Sequence, residues 1–306
     1  MDFQPWPNKI VPVCPNPHSL SELTSLLTEW GFEHDILVTN LTDNSYQVAA
    51  TVDPHPDIAS LWGHLIATFP ELGFWPVHTD GSLDELFDPD PDRIGTAEEF
   101  FAENTMPLFE NHWEQGWEAP DFPELTPERL QSFADFHTRT IRTEPTINTE
   151  KSHIVDDENL DTTQLLITPV PRPADVPATI GWPGAINYDY SGASVSTVLR
   201  SWEDRFGALL TSLNFAEMDL RISNVAQLAM LTHDELVNLT LEHYVFCPDS
   251  LDQGTLKFPC YLDAISGSPL WPFWKLIQLL GKSIYDNRRK IRKNMLSNLS
   301  FLTYRD

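Results

Sequence analysis

The sequence predicts an α+β fold made of two mixed-sheet domains with helices packed on the sheets. Three observations lead to this class. Residues 1–80 show helix and strand patterns in the order α-β-β-α-β, which is typical of a mixed sheet with helices on one face. Residues 138–163 are polar and unpatterned, as expected of a linker. A second patterned region begins at residue 164.

The first region is predicted to contain two helices and three strands. The helices cover residues 18–30 and 57–70, and the strands cover 36–39, 46–50 and 74–77. Ser19 and Glu22 have the spacing of a capping box, which marks a helix start. Pro70 is expected to close the second helix. Two further capped helices are predicted to start at Thr96 and Thr126.

The second region is predicted to contain three strands and two long helices. The strands cover 164–170, 209–213 and 218–222, and the helices cover 193–207 and 232–247. The last helix begins with a capping box of Thr232 and Glu235 and ends before Pro248, since proline disfavours helical geometry at the preceding residue. Asn238 and Glu242 extend a narrow polar strip from Glu235. The strip predicts a solvated face with Glu242 as a surface carboxylate.

Four segments of the second region carry a family resemblance. They read Gly-Trp-Pro-Gly-Ala-Ile-Asn-Tyr at 181–188, Val-Leu-Arg-Ser-Trp-Glu-Asp-Arg-Phe-Gly at 198–207, Leu-Glu-His-Tyr-Val-Phe-Cys-Pro-Asp at 241–249 with Asp-Gln-Gly at 252–254, and Trp-Pro-Phe-Trp at 271–274. In this order they resemble the bacterial family known as domain of unknown function 4253, over residues 164–274. The resemblance implies a fold family and no activity.

The chain departs from the family pattern after Trp274. The pattern continues with Trp-Asp and ends, whereas here Lys275 opens a tail with eight Lys or Arg against two Asp. A nonessential extension, or read-through of an altered stop, is the preferred interpretation. Binding of phosphate or of the acidic body is the alternative. The predicted organisation is a domain over 1–137, a linker over 138–163, a domain over 164–274 and a basic tail over 275–306.

The body before the tail is strongly acidic. The formal net charge of the chain is −26, and residues 1–274 hold 43 Asp or Glu against 11 Lys or Arg, a net of −32. Because proteins bind nucleic acids through Lys and Arg, the body is not expected to bind DNA or RNA. Solubility is the simplest interpretation of this charge, and docking of a basic protein partner is the functional one.

Cysteine content and hydropathy favour a cytoplasmic protein. The three cysteines are too few and too scattered for a disulfide framework. The N-terminus shows no signal-peptide pattern, and no apolar run approaches the roughly 20 residues that span a bilayer. Neither a membrane nor a cofactor is expected, since the sequence lacks the phosphate-loop, dinucleotide and zinc-protease motifs.

The candidate catalytic residues are Glu242, His243, Cys247 and Asp249, at the end of the last predicted helix. His243 and Cys247 stand four apart, so they can face one metal ion or form a Cys–His nucleophile pair. Cys247 lies at the C-terminal end of the helix dipole, which opposes a thiolate. No Cys-x-x-Cys completes a zinc site, so metal binding is not expected.

Candidate ligand-binding residues are the polar and aromatic members of the family motifs. They are Trp182, Asn187, Arg200, Trp202, Arg205 and Gln253. Two hypotheses follow from these patterns. The first is a non-catalytic protein-binding module of the immunity or inhibitor kind with an acidic surface. The alternative is an enzyme, or a small-ligand or metal-binding domain, with a pocket around Glu242, His243, Cys247 and Asp249.

Overall fold

The structure of the protein, a computed structural model, describes residues 13–41, 44–81, 126–129, 163–185, 190–223, 225–252 and 256–274. The strands are β1 (Asp35–Leu41), β2 (Asn44–Val52), β3 (Phe74–Thr79), β4 (Gln164–Pro169), β5 (Ala208–Leu213), β6 (Met218–Ile222) and β7 (Leu270–Phe273). The helices are α1 (Leu20–Glu29), α2 (Ile58–Leu72), α3 (Val176–Ile180), α4 (Gly192–Phe206), α5 (Val225–Leu228), α6 (His233–Phe246), α7 (Asp249–Asp252) and α8 (Phe258–Ile265). A 3-10 helix over Pro173–Asp175 leads into α3.

The strands form one mixed sheet in the order β1-β2-β4-β3-β5-β6-β7. β3 and β5 are parallel, and the other neighbours are antiparallel. The α+β class is therefore confirmed. Instead of a separate sheet in each half, the described strands share one, because β4 lies between β2 and β3. The predicted domain boundaries stay predictions, since residues 130–162 and 275–306 lie outside the described residues.

A continuous hydrophobic core joins the two halves of this sheet. Its buried members come from α1 and α2 as well as from α4, α6 and α8. A direct link is made by Trp75 of β3, whose indole Nε1 donates a hydrogen bond to the carbonyl of Leu210 in β5 at 2.8 Å. The core is rich in large aromatic side chains, which bury the most apolar area per residue.

Local capping signals fix the helix starts as predicted. Ser19 and Glu22 form a complete capping box at α1, and Thr232 and Glu235 form another at α6. The prediction that Pro70 closes the second helix is wrong, because α2 continues to Leu72. Gly73 ends it instead, with φ 73° and its N–H bonded to the carbonyl of Phe69. Proline in the last turn removes one hydrogen bond but leaves this terminal one in place.

Several predicted features fall on residues that are not described. The helix predicted from Thr96 lies outside the described residues, and of the helix predicted from Thr126 only 127–129 are described, in helical conformation. The linker and the basic tail also lie outside them. In the described part of the chain, no helix has the length and apolar character needed to cross a membrane.

Candidate functional site

Helices α4 and α6 carry five of the ten candidate site residues, and local sequence sets the positions of these helices. The hydroxyl of Ser191 caps α4 by accepting from the N–H of Ser194. Gly192 lies so close to α3 that a Cβ atom there would collide with the carbonyl oxygen of Pro177. Gly207 ends α4 with φ 63°. α6 ends at Phe246, before the Cys247-Pro248 step, as the sequence predicts.

Glu242 is completely buried, so the expectation of a solvated surface carboxylate is wrong. Its Oε2 accepts hydrogen bonds from Arg205 Nη2 at 2.5 Å and from Trp202 Nε1 at 2.8 Å. The guanidinium of Arg205 also lies over the ring of Phe206, at 4.8 Å from its centroid. Glu242 therefore faces charged and aromatic groups of α4 instead of water, and Asn238 is also buried.

His243 is a neutral imidazole enclosed by aromatic rings. Its Nδ1 lies 3.1 Å from the hydroxyl of Tyr261 on α8. The ring centroids of Trp202, Trp271 and Phe273 lie 4.9, 4.5 and 5.1 Å from its own. Burial lowers the pKa of His243 to about 3, because the apolar surroundings penalise the charged form. At neutral pH this residue therefore carries no charge.

Cys247 is a buried, protonated thiol. Its Sγ accepts a hydrogen bond from the backbone N–H of Trp274 at 3.3 Å. Burial raises the pKa of Cys247 to about 11, although the side chain and backbone of Ser250 oppose the rise. Since the thiolate is the nucleophile and the metal ligand, the described geometry does not activate this residue. Within the described ranges, no group of three or more His, Cys, Asp or Glu side chains is arranged to hold a metal ion.

A second set of ion pairs fixes α4 to the turn after β4. Arg172 bonds Glu203 through Nε at 2.9 Å and Asp204 through Nη2 at 2.7 Å, and the N–H of Ala174 donates to Oε1 of Glu203 at 2.6 Å. Burial raises the pKa of Glu203, whereas the neighbouring charge of Arg172 opposes the rise. Arg200, a candidate ligand-binding residue, donates to Asp175 at 2.5 Å.

The remaining candidates are dispersed. Trp182 is buried, and its indole Nε1 donates to the carbonyl of Asn214 at 2.8 Å. Asp249 begins the short helix α7 and is half-buried. Asn187 and Gln253 lie outside the described residues. The structure thus brings together Trp202, Arg205, Glu242 and His243 as one buried cluster, which also contains Trp271 and Phe273.

Tyr261, Arg172 and Glu203 were missed as members of these buried networks. Pro259 near the start of α8 is a local helix-start signal that would have placed Tyr261 on a helix. Glu203 stands directly before Asp204 inside a family motif, but nothing near it in sequence identifies Arg172, 31 residues away, as its partner.

The N-terminal half presents a different kind of polar surface. Its described residues between 13 and 81 contain eight Asp or Glu and neither Lys nor Arg, and all eight carboxylates are exposed. A groove of about 460 Å³ opens on this surface, and we name it the acidic groove. It is lined by Thr28, Phe32, Glu33, His34, Asp35, Thr51 and Asp53.

Some carboxylates of the C-terminal half are buried and paired with arginines, unlike those of the N-terminal half. Its described residues from 163 to 274 hold eleven Asp or Glu against five Lys or Arg. Asp175, Glu203 and Glu242 are buried, and each is paired with an arginine. Three carboxylates of this half therefore hold parts of the fold together, whereas all eight described carboxylates of the N-terminal half are exposed.

Comparison with known proteins identifies the C-terminal part alone. No curated protein and no solved structure matches the chain. A family model matches residues 164–274, the segment that runs from β4 to the residue after β7 and contains the buried cluster. The four sequence motifs lie within this match, so residues 164–274 are similar to the family described as "Domain of unknown function (DUF4253)".

Proposed function

We propose that the protein is a non-catalytic binding module whose acidic N-terminal surface docks a basic protein. One observation carries the proposal: the eight described carboxylates between residues 13 and 81 are all exposed, with no Lys or Arg among the described residues of that range. Unbalanced surface charge of one sign steers an oppositely charged partner and speeds its association. It also destabilises the folded chain by self-repulsion, which a bound cationic surface would relieve.

The alternative, an enzyme or ligand site around Glu242, His243, Cys247 and Asp249, finds less support in the described geometry. The first three side chains have no exposed surface. Glu242 is held by Arg205 and Trp202, and both His243 and Cys247 are in their neutral forms. A catalytic group has to reach its substrate, so this cluster suits a role in stability better than one in turnover.

A capture experiment with three forms of the full-length chain tests the proposal. The first form is unchanged, and each of the other two has three carboxylates converted to amides. The N-terminal variant combines Glu33→Gln, Asp57→Asn and Glu71→Gln. The matched C-terminal variant combines Glu217→Gln, Asp252→Asn and Asp263→Asn. Each form is immobilised and exposed at low salt to an extract of the organism that makes it, and the retained proteins are quantified by mass spectrometry.

We expect the unchanged chain to retain Lys- and Arg-rich proteins that the N-terminal variant retains several-fold less. The C-terminal variant should retain them as the unchanged chain does, because the same net charge has been removed elsewhere. If both variants retain equally less basic protein, binding depends on net charge alone. That result would contradict a specific binding surface in the N-terminal half. Retention of no basic protein by the unchanged chain would contradict the proposed function as a whole. Binding should also weaken with added salt.

A further inference from the structure

We infer that acidification releases the basic partner from the N-terminal surface, because histidines are the only basic side chains among the described residues of that surface. The inference rests on the proposed function and adds its regulation, with binding at neutral pH and release as the pH falls to about 5.5. Electrostatic attraction between two proteins weakens when one of them loses net charge. The protons that this surface takes up therefore set the affinity for the partner.

Five histidines stand among the eight carboxylates of the described residues between 13 and 81, and no Lys or Arg does. They are His18, His34, His55, His64 and His78, and each has part of its surface exposed. Histidine is the side chain whose ordinary charge change falls between about pH 5 and 8. The formal charge of these residues is −8 when all five imidazoles are neutral and −3 when all five are protonated. Acidification thus removes more than half of the negative charge.

His18 lies beside a carboxylate at the start of α1. Its Nδ1 is 3.2 Å from Oε1 of Glu22. The N–H and the hydroxyl of Ser19 also bond Glu22 and lower the pKa of its carboxyl, so this group keeps its charge at about pH 5.5. The ring of Phe74 in β3 packs edge-on against His18 and carries no charge. Protonation of His18 therefore cancels the charge of Glu22 locally.

His55 has a carboxylate neighbour in the turn before α2. Its Nδ1 is 3.8 Å from Oδ2 of Asp57 and accepts the backbone N–H of the same residue at 3.1 Å. Protonation exchanges this hydrogen bond for an ion pair with the exposed carboxylate. The ring of Phe32, from the loop after α1, packs edge-on against His55 and is uncharged. The negative charge of Asp57 is thus balanced only at low pH.

His34 lies in the lining of the acidic groove, together with Glu33, Asp35 and Asp53. Its Nδ1 is 3.3 Å from the carbonyl oxygen of Phe32. Because a carbonyl oxygen only accepts, Nδ1 carries the proton of the neutral ring and Nε2 takes up the second one. The charged ring keeps this hydrogen bond and adds a positive charge to a lining with three carboxylates. The net negative charge of the groove therefore decreases as the pH falls.

The histidines of the C-terminal half respond far less over the same pH range. Its described residues from 163 to 274 contain His233 and His243. His243 stays neutral, because burial lowers its pKa to about 3. His233 is exposed at the start of α6 and adds one positive charge at most. Among the described residues, the gain of charge by histidines is thus concentrated on the surface to which the proposed function assigns the partner.

A binding assay with a labelled oligolysine peptide at pH 7.5 and pH 5.5 tests the inference. The peptide has a blocked N-terminus and a pH-insensitive rhodamine label, so its own charge is the same at both pH values. The full-length chain is compared with a glutamine variant (His18→Gln, His34→Gln and His55→Gln), an arginine variant (His18→Arg, His34→Arg and His55→Arg) and the control His233→Gln. Affinities are measured by fluorescence anisotropy at low salt, after circular dichroism has shown that each form is folded at both pH values.

The unchanged chain should bind the peptide about 10-fold more weakly at pH 5.5 than at pH 7.5, because several exposed charge pairs of modest strength are lost together. The glutamine variant should equal the unchanged chain at pH 7.5 and lose less than about 3-fold at pH 5.5. The arginine variant, which has fixed positive charges, should bind at pH 7.5 about as weakly as the unchanged chain does at pH 5.5. His233→Gln should keep the full pH effect.

Two kinds of result would overturn the inference and leave the proposed function standing. One is a pH effect that is absent from the unchanged chain, equally large in the glutamine variant, or lost in His233→Gln. The other is an arginine variant that binds as tightly as the unchanged chain at pH 7.5, since the three histidines would then lie away from the bound peptide. Failure of the unchanged chain to bind the peptide at pH 7.5 would overturn both the inference and the proposed function.

Discussion

Arg205 of α4 and Glu242 of α6 form an ion pair in the core, with Nη2 of the guanidinium 2.5 Å from Oε2 of the carboxylate. Both side chains are removed from water, and the same Oε2 accepts the indole N–H of Trp202. Taking two charges out of water is costly, so each partner is stable in the core only because the other is present. The pair therefore joins two helices through residues that lie 37 positions apart in the chain.

Truncation of one partner of this pair should destabilise the protein strongly. Glu242→Ala leaves the guanidinium of Arg205 buried without its carboxylate, and we expect a loss of about 3–5 kcal/mol in the free energy of unfolding. Urea denaturation monitored by tryptophan fluorescence measures it. The double variant Arg205→Met with Glu242→Met should recover much of the loss, because no buried charge remains. A loss under about 1 kcal/mol in Glu242→Ala would contradict the buried pairing.

Stability should fall as the pH drops from about 6.5 towards 3 because of His243. Its pKa is lowered to about 3 in the folded state, whereas the unfolded chain has an ordinary value near 6.5. In this window the unfolded state binds a proton that the folded state does not, so falling pH favours unfolding by up to about 1.4 kcal/mol per unit. Above pH 6.5 the imidazole of His243 is neutral in the folded and in the unfolded protein. Its contribution to stability is then fully present and no longer changes with pH.

The control for this pH dependence is His243→Gln, which cannot take up the proton. Urea midpoints of the two proteins are compared between pH 5 and 7, above the range in which most surface carboxylates titrate. The difference in stability between the two proteins should narrow as the pH falls. Parallel pH profiles would show that His243 is accessible to protons in the folded state.

Cysteine labelling should separate the exposed thiol from the buried ones. Cys260 is exposed on α8, whereas Cys14 and Cys247 are buried. Cys247 is further protected because burial raises its pKa to about 11, so the reactive thiolate is scarce at pH 8. Iodoacetamide followed by peptide mass spectrometry should modify Cys260 first, and Cys247 only when denaturant is added. Prompt modification of Cys247 in the native protein would favour the nucleophile hypothesis over the binding one.

Two glycine-to-alanine changes should have opposite effects on stability. At Gly192 the new methyl carbon would collide with the carbonyl oxygen of Pro177, and backbone atoms cannot move away easily. We expect Gly192→Ala to cost about 3 kcal/mol or more. Gly63 lies within α2 and has open space where a methyl group would be added, so Gly63→Ala should stabilise the helix by about 0.5–1 kcal/mol. Thermal unfolding of both variants checks the two signs.

Local signals in the sequence predicted the helix and strand positions well. The capping boxes at Ser19 and Thr232 involve residues three apart, and both occur as predicted. The stop at Gly207 and the strand over Met218–Ile222 follow from equally local patterns. Such features depend on the conformations of neighbouring residues, which a single sequence records directly.

Features that depend on distant partners were not predictable in the same way. The polar strip on α6 indicated a solvated Glu242, but the presence of Arg205 and Trp202 on a helix far along the chain makes its burial favourable. Arg200 and Asp204 stand four apart on α4, a spacing that allows them to pair, whereas Arg200 bonds Asp175 and Asp204 bonds Arg172. Helical spacing shows which residues share a face, and tertiary packing decides what that face meets.

The order of the sheet has a consequence for how the chain is made. A ribosome that has reached residue 137 has released β1, β2 and β3, but β4, the strand that hydrogen-bonds to both β2 and β3, has not yet been synthesised. Until residue 169 emerges, β2 and β3 each lack the described strand that later covers one of their edges, and an open edge is prone to pair with other chains. The strands beside the acidic groove thus join the rest of the sheet only when the first strand of the matched segment has emerged, late in translation.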